Sequence, residues 1–209
     1  ARGRALSMAV GPESALPRDS HRRQRLEDLR RELAADFRTR LSAAAPTRAL
    51  AEAVDATLKA LWAQRAAELA GAALIATGGY GRSELFPGSD VDVLVLAPEG
   101  RNPALDSAIR AFLADAWDSG LELAQSVRTL ADLRSFAAGD LSGYTSLLDA
   151  RLLCGDASLW QAFAGLAADQ ALWPPPEFLR AKLQERDERQ ARHADTAHNL
   201  EPNLKAGRG

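Results

Sequence analysis

Asp90-Val91-Asp92 is the segment whose residue types and spacing are best suited to chemistry. On an extended strand, residues two apart project from one face, so the two carboxylates stand side by side. Aspartate is disfavoured in strands, and like charges on one face repel. A cation is therefore expected to compensate them. Hard divalent cations prefer oxygen ligands, and two of them about 3.5–4 Å apart would activate an attacking oxygen and stabilise a departing phosphate. Gly78-Gly79 lies ahead of this pair, with ten residues between Gly79 and Asp90. Without a Cβ, backbone N–H groups at such a turn can approach an anion closely. Arg82 could add a charge-assisted contact to phosphate. Ser83 or Ser89 could hydrogen-bond a triphosphate, and each also fits ordinary turn chemistry.

Two other phosphate motifs are excluded. A dinucleotide fingerprint needs G-x-G-x-x-G opening a helix and an acid about 20 residues on. Gly79-x-Gly81 has Glu84 where the third glycine belongs, and the acids arrive too soon. A Walker loop needs Gly-Lys-Ser/Thr, which is absent.

The elements that must position these residues are legible around them. The apolar run Ala72 to Thr77 reads as a strand entering the glycines, and Asp90 to Leu96 as a second, buried on both faces. Leu94 and Leu96 continue the aspartate face, while Val91, Val93 and Val95 cover the other. Leu121 to Arg128 is a third strand candidate. Asn102-Pro103 is a helix cap followed by proline at the first helical position, with Leu105, Ile109, Phe112 and Leu113 facing inward. Thr129, Asp140 and Asp156 are expected caps of later helices, and Leu159, Trp160, Phe163 and Leu166 an apolar stripe of core. Upstream, Leu26, Leu29, Leu33 and Phe37 recur at helical spacing from Arg22, and Pro46 is expected to end that helix. Leu50, Val54, Leu58, Leu61 and Leu69 mark a second. The arginines between Arg22 and Arg31 alternate with Glu27, Asp28 and Glu32 and read as a solvated face.

Composition bounds the rest. Of 209 residues, 43 are alanine and only 8 are valine or isoleucine, so a small sheet in a helix-rich protein is expected. The formal charge of −2 provides no basic field for nucleic acid. No run of 18 apolar residues suggests a membrane span, and the lone Cys154 suits a reducing compartment, so a cytoplasmic location is expected. Cys154 follows two leucines and reads as buried and inert, and His193 and His198 as surface residues. Ala1, the single Met8 and the Gly207-Arg208-Gly209 end suggest a piece of a longer protein. The expected organisation is an irregular arm over 1–21, a helical segment over 22–70, a core over 71–172, and a proline-rich boundary with a charged helix over 173–209.

The string Gly78-Gly79-Tyr80-Gly81-Arg82-Ser83-Glu84-Leu85-Phe86-Pro87-Gly88-Ser89-Asp90-Val91-Asp92 resembles the signature of the DNA polymerase β-like nucleotidyltransferase superfamily. Within it, the sequence is most similar to the bifunctional PII uridylyltransferase/uridylyl-removing enzymes of bacterial nitrogen control. Further matches are Gly120–Leu123 leading to Ser126–Thr129, Ala150–Asp156 and Asn199–Lys205. The resemblance implies an α+β fold with a small mixed sheet and flanking helices. It implies transfer of UMP from UTP to a tyrosine of the PII signalling protein, with Mg²⁺ and release of pyrophosphate. Asp90 and Asp92 then match the metal-binding aspartates, Gly78 and Gly79 the nucleotide loop, and Glu122 is the candidate third carboxylate. Where the family often has Gly-His before Ser-Val-Arg-Thr, this chain has Ala124-Gln125, so no histidine role is carried over. The family is several times longer, with uridylyl-removing and ligand-sensing domains that this sequence does not contain. Two other readings stand beside this one: transfer of AMP by a member of the same superfamily, and a nucleotide-binding fragment that does not catalyse.

Overall fold

The computed structural model describes residues 17–40 and 44–194. Four strands form one mixed sheet in the order β3-β2-β1-β4: β1 Ala73–Ala76, β2 Val91–Leu96, β3 Leu123–Arg128 and β4 Arg151–Gly155. β1 runs antiparallel to both β2 and β4, whereas β2 and β3 are parallel. A parallel pair needs a crossover, and here it is helix α4, Pro103–Asp118. The expected small mixed sheet with flanking helices is the observed α+β architecture.

Helices cover both faces. α1 (Pro17–Arg40), α2 (Ala44–Gln64) and α4 pack on the face carrying Leu74, Ala76, Val91, Val93 and Val95. Leu26, Leu50, Val54, Leu58, Ile109 and Phe112 fill that layer. Trp62 meets Phe112 edge-on at 5.1 Å between ring centres, an arrangement worth about 0.5–1.5 kcal/mol beyond the area it buries. The opposite face carries Ala73, Ile75, Leu94 and Leu96 under α5 (Leu130–Gly139), α6 (Leu141–Leu148) and α7 (Ala157–Ala167). Strand alternation thus sorts β2 as its sequence pattern predicts.

The caps also form as expected. Asn102 accepts from the Leu105 N–H at 2.9 Å, Asp140 from Gly143 at 3.0 Å and Asp156 from Leu159 at 2.8 Å. Thr129 and Asp132 make a reciprocal capping box. Phe163 and Leu166 are buried in the core beneath α7, with Leu159 and Trp160 packed against them. Trp173 donates to the Ala137 carbonyl at 2.7 Å just before α8, Pro175–Ala194.

Several boundaries differ from the sequence expectation. α1 begins at Pro17 rather than Arg22, while residues 1–16 lie outside the described residues, as does the Asn199–Lys205 segment with His198. Pro46 does not end the first helix. α2 starts ahead of it at Ala44, because a proline in the first helical turn has no hydrogen bond to lose. Leu69 is buried but lies beyond the end of α2 at Gln64. Asp90 and Glu122 each sit one residue before the strand expected to contain them. No local sequence pattern marks β4 as a strand.

Gly155 closes β4 at φ +105, and a Cβ there would meet the Ala72 carbonyl oxygen at 2.4 Å and Ala73 Cα at 2.7 Å. Neither backbone atom can rotate away. Gly155→Ala is expected to destabilise the fold by about 3 kcal/mol, lowering the melting temperature by roughly 6–12 °C. An unchanged thermal unfolding curve would contradict the packing described at this strand end.

Candidate active site

β1 delivers the chain into a single helical turn, α3, formed by Gly78–Gly81. Gly78 adopts φ +57, a conformation open to glycine without strain. A Cβ there would stand 3.2 Å from Asp92 Oδ2, so the backbone of the turn is seated against that carboxylate. The Thr77 N–H donates to the Asp92 carbonyl at 3.1 Å and joins the end of β1 to the start of β2. Gly78 and Gly79 open the turn, where helical N–H groups have no partner inside the helix. The loop then closes on itself: the Glu84 N–H donates to the Gly79 carbonyl at 2.9 Å, and that of Ser83 to Tyr80 at 3.0 Å. Among the described residues Ser83 is the one non-glycine with left-handed backbone, at φ 62. Such a conformation costs about 1 kcal/mol or more.

Asp90 is exposed at the mouth of β2 and Asp92 half-buried within it. Asp92 lies on the face that continues through Leu94 and Leu96 beneath α5 and α6, and Asp90 stands one residue ahead of the strand. The parallel register sets Val91 beside Leu123 and Asp92 beside Ala124. Glu122 therefore stands level with Asp90, one residue ahead of each strand, and its carbonyl accepts the Val91 N–H at 2.8 Å. Its side chain is exposed. Among the described residues, no three carboxylate, histidine or cysteine side chains come together to hold a metal ion. Asp90 and Asp92 are hard oxygen donors, and the missing Cβ of Gly78 leaves room beside the second of them. That donor chemistry fits a hard divalent cation, and nucleotidyltransferases generally use divalent metals.

Arg82 is engaged elsewhere than expected. Its guanidinium pairs with Glu84 at 2.9 Å and Asp149 at 2.5 Å, all three partly exposed. Partly exposed pairs of this kind are worth about 1 kcal/mol or less, so phosphate could compete for the arginine. The half-buried Ser89 donates its N–H to the Phe86 carbonyl at 3.0 Å, closing a turn.

Beside Asp92 a cavity of about 290 Å³ opens between β2, β3 and helices α5 and α6. Thr77, Gln125, Ser126, Arg128, Phe136 and Ser146 contribute to its walls, and the Arg128 guanidinium lies 4.1 Å over the Phe136 ring. A larger cavity of about 410 Å³ lies at the other end of the sheet, bounded by Lys59, Trp62, Gly71 and Cys154. It touches neither the glycine turn nor the aspartates. Burial pushes the Cys154 thiol up to about 11, leaving it protonated and unreactive at neutral pH.

Residues that sequence reasoning missed stand behind the turn. Tyr80, Asp55 of α2 and Arg151 of β4 form one hydrogen-bonded group. Tyr80 and Arg151 belong to segments already singled out, but no local pattern connects them to Asp55.

Comparison with known proteins covers the same segments of sequence. Residues 58–143, which include the glycine turn, β2 and β3, match the family described as nucleotidyltransferase domain. Residues 177–209 match the family described as GlnD PII-uridylyltransferase. The chain is 41% identical over 189 residues to the bifunctional uridylyltransferase/uridylyl-removing enzyme of Chromobacterium violaceum, covering 90% of this chain and 22% of that protein. The enzyme of the same name from Burkholderia vietnamiensis is 39% identical over 193 residues, 92% of this chain and 22% of the relative. That from Ralstonia nicotianae is 42% identical over 160 residues, 77% and 18% respectively. The chain thus spans about a fifth of the length of these curated relatives. Among the described residues no helix is long and apolar enough to cross a membrane. With a nucleotidyltransferase domain across the glycine turn and the aspartate strand, the chain belongs to the family of the bifunctional uridylyltransferase/uridylyl-removing enzymes.

Proposed function

We propose that this chain transfers UMP from UTP to a tyrosine of the PII signalling protein in the cytoplasm. The observation that carries the reading is the glycine turn seated against the carboxylate of Asp92, a residue that also lines the cavity. In this reading the N–H groups of Gly78 and Gly79 hold the triphosphate, with Arg82 and Ser89 as further phosphate contacts. The nucleoside end occupies the cavity lined by Gln125, Ser126 and Arg128. The attacking tyrosine oxygen forms a bond to the α-phosphorus. The bond from that phosphorus to the bridging oxygen of the β-phosphate breaks, pyrophosphate departs and the phenolic proton passes to solvent. Asp90 and Asp92 would hold Mg²⁺, which when bound neutralises charge on the phosphate oxygens. Glu122, level with Asp90, is the candidate third carboxylate.

Holding the phosphates against a fixed turn converts a bimolecular encounter into an oriented one, the largest contribution that positioning makes to such transfers. Incubating the chain with PII, Mg²⁺ and UTP labelled at the α-phosphate tests the assignment. Label on a PII tyrosine with stoichiometric pyrophosphate release is the expected result. Transfer from ATP but not UTP would replace it with the adenylyl reading, and transfer from neither would leave a non-catalytic nucleotide-binding module.

A further inference from the structure

The glycine turn is gripped from behind by residues distant in sequence. Tyr80 sits in the turn and is 1% exposed, and a buried phenol needs a hydrogen-bond partner. Its hydroxyl donates to Asp55 Oδ1 at 2.7 Å. Arg151 approaches the same carboxylate with two nitrogens, Nη1 to Oδ2 at 2.6 Å and Nη2 to Oδ1 at 3.1 Å. The same guanidinium donates through Nε to the Gly81 carbonyl and through Nη2 to the Tyr80 carbonyl, both at 3.3 Å. One side chain at the start of β4 therefore holds α2 and the last two carbonyls of the turn together. Bidentate, charge-assisted contacts of this kind fix orientation as well as distance. Lys59 adds a further positive charge 3.7 Å from Asp55.

The protonation states match the contacts. Burial works to raise the Asp55 carboxyl, but hydrogen bonds from Arg151 and Tyr80 outweigh it and leave the group below its ordinary 3.8. Burial and the Asp55 charge push the Tyr80 hydroxyl far above its ordinary value. At neutral pH Asp55 is an anion, Tyr80 a neutral donor and Arg151 a cation.

We propose that Asp55, Tyr80 and Arg151 are positioning residues of the nucleotide site, holding the glycine turn against Asp92 so that triphosphate meets a preformed cradle. The proposal rests on the nucleotide reading given above. None of the three touches the ligand in this account. They act by raising the fraction of molecules whose turn is competent to bind, and affinity falls in proportion to that fraction. A merely structural role would lower stability and leave the affinity of the folded molecules unchanged.

The test is calorimetric titration with UTP and Mg²⁺ of the chain, of Arg151→Lys and of Tyr80→Phe, each below its own unfolding temperature. Asp115→Asn serves as the control. It breaks the Arg65–Asp115 pair, 2.9 and 2.7 Å, which ties the segment after α2 to α4 away from the turn. Arg151→Lys keeps the charge and loses the fork, and is expected to weaken UTP binding about tenfold. Tyr80→Phe removes one oxygen and is expected to weaken it about threefold, while Asp115→Asn leaves it unchanged. If Arg151→Lys fails to fold, the milder Tyr80→Phe carries the comparison. Unchanged affinity in the clamp variants, or equal weakening in Asp115→Asn, would overturn the proposal while leaving the nucleotide site in place. An unsubstituted chain that binds no UTP would remove the nucleotide reading and the clamp's role with it.

Discussion

Asp92→Asn is expected to lower UMP transfer by at least about a thousandfold, equivalent to roughly 4 kcal/mol of lost transition-state stabilisation. The amide fills the same volume beside Gly78, so the turn keeps its seat. What disappears is the negative charge and one oxygen donor from a pair that the mechanism uses as a pair. Folding stability should change little, because Asp92 is only half-buried and the amide is isosteric with the carboxylate. Measured together, the transfer rate and thermal unfolding separate these effects. Full transfer by Asp92→Asn would remove this carboxylate from the mechanism. A parallel loss of stability and activity would instead point to a structural role.

Gly81→Ala is expected to have the largest effect of any single added methyl group in the site. A Cβ at this position would lie 2.0 Å from the Asp149 carbonyl oxygen, 2.9 Å from its carbon and 3.2 Å from the Ala76 carbonyl. All three contacts are backbone, one at the end of β1 and two where α6 leads into β4. No rotamer change relieves them, so the turn must move away from the sheet. The expected cost is about 3 kcal/mol or more of stability, together with loss of UTP binding, because the same movement lifts Gly78 off Asp92. Gly165→Ala supplies the contrast. That glycine is exposed in α7 with nothing within 4 Å of the added atom, and alanine there should stabilise by about 0.5–1 kcal/mol. Equal melting temperatures for the two variants would contradict the packing of the turn.

The readable parts of this protein were those determined by local chemistry. Asn102, Thr129, Asp140 and Asp156 announce their helices because a capping side chain satisfies the N–H groups beside it in sequence. β2 is legible because alternation sends its valines to one helical layer and Leu94 and Leu96 to the other. β4 was hidden, since Arg151-Leu152-Leu153-Cys154-Gly155 contains no β-branched residue and pairs only with β1. Its extended form comes from its neighbour rather than its own propensity. The helical turn of Gly78–Gly81 could not be read either, because three glycines make poor helix and the surrounding backbone contacts impose the conformation. In the candidate site, the aspartates and glycines stand out by type and spacing. The Asp55–Arg151 contact joins residues 96 apart, a separation at which periodicity carries no information.

Titration of the unsubstituted chain with UTP, with and without Mg²⁺, tests most directly whether the glycine turn and the aspartate pair form one nucleotide site. The account predicts binding at a single site that depends on Mg²⁺ and is lost in the Asp90→Asn/Asp92→Asn double variant. Absence of UTP binding, or equal binding by the double variant, would contradict it.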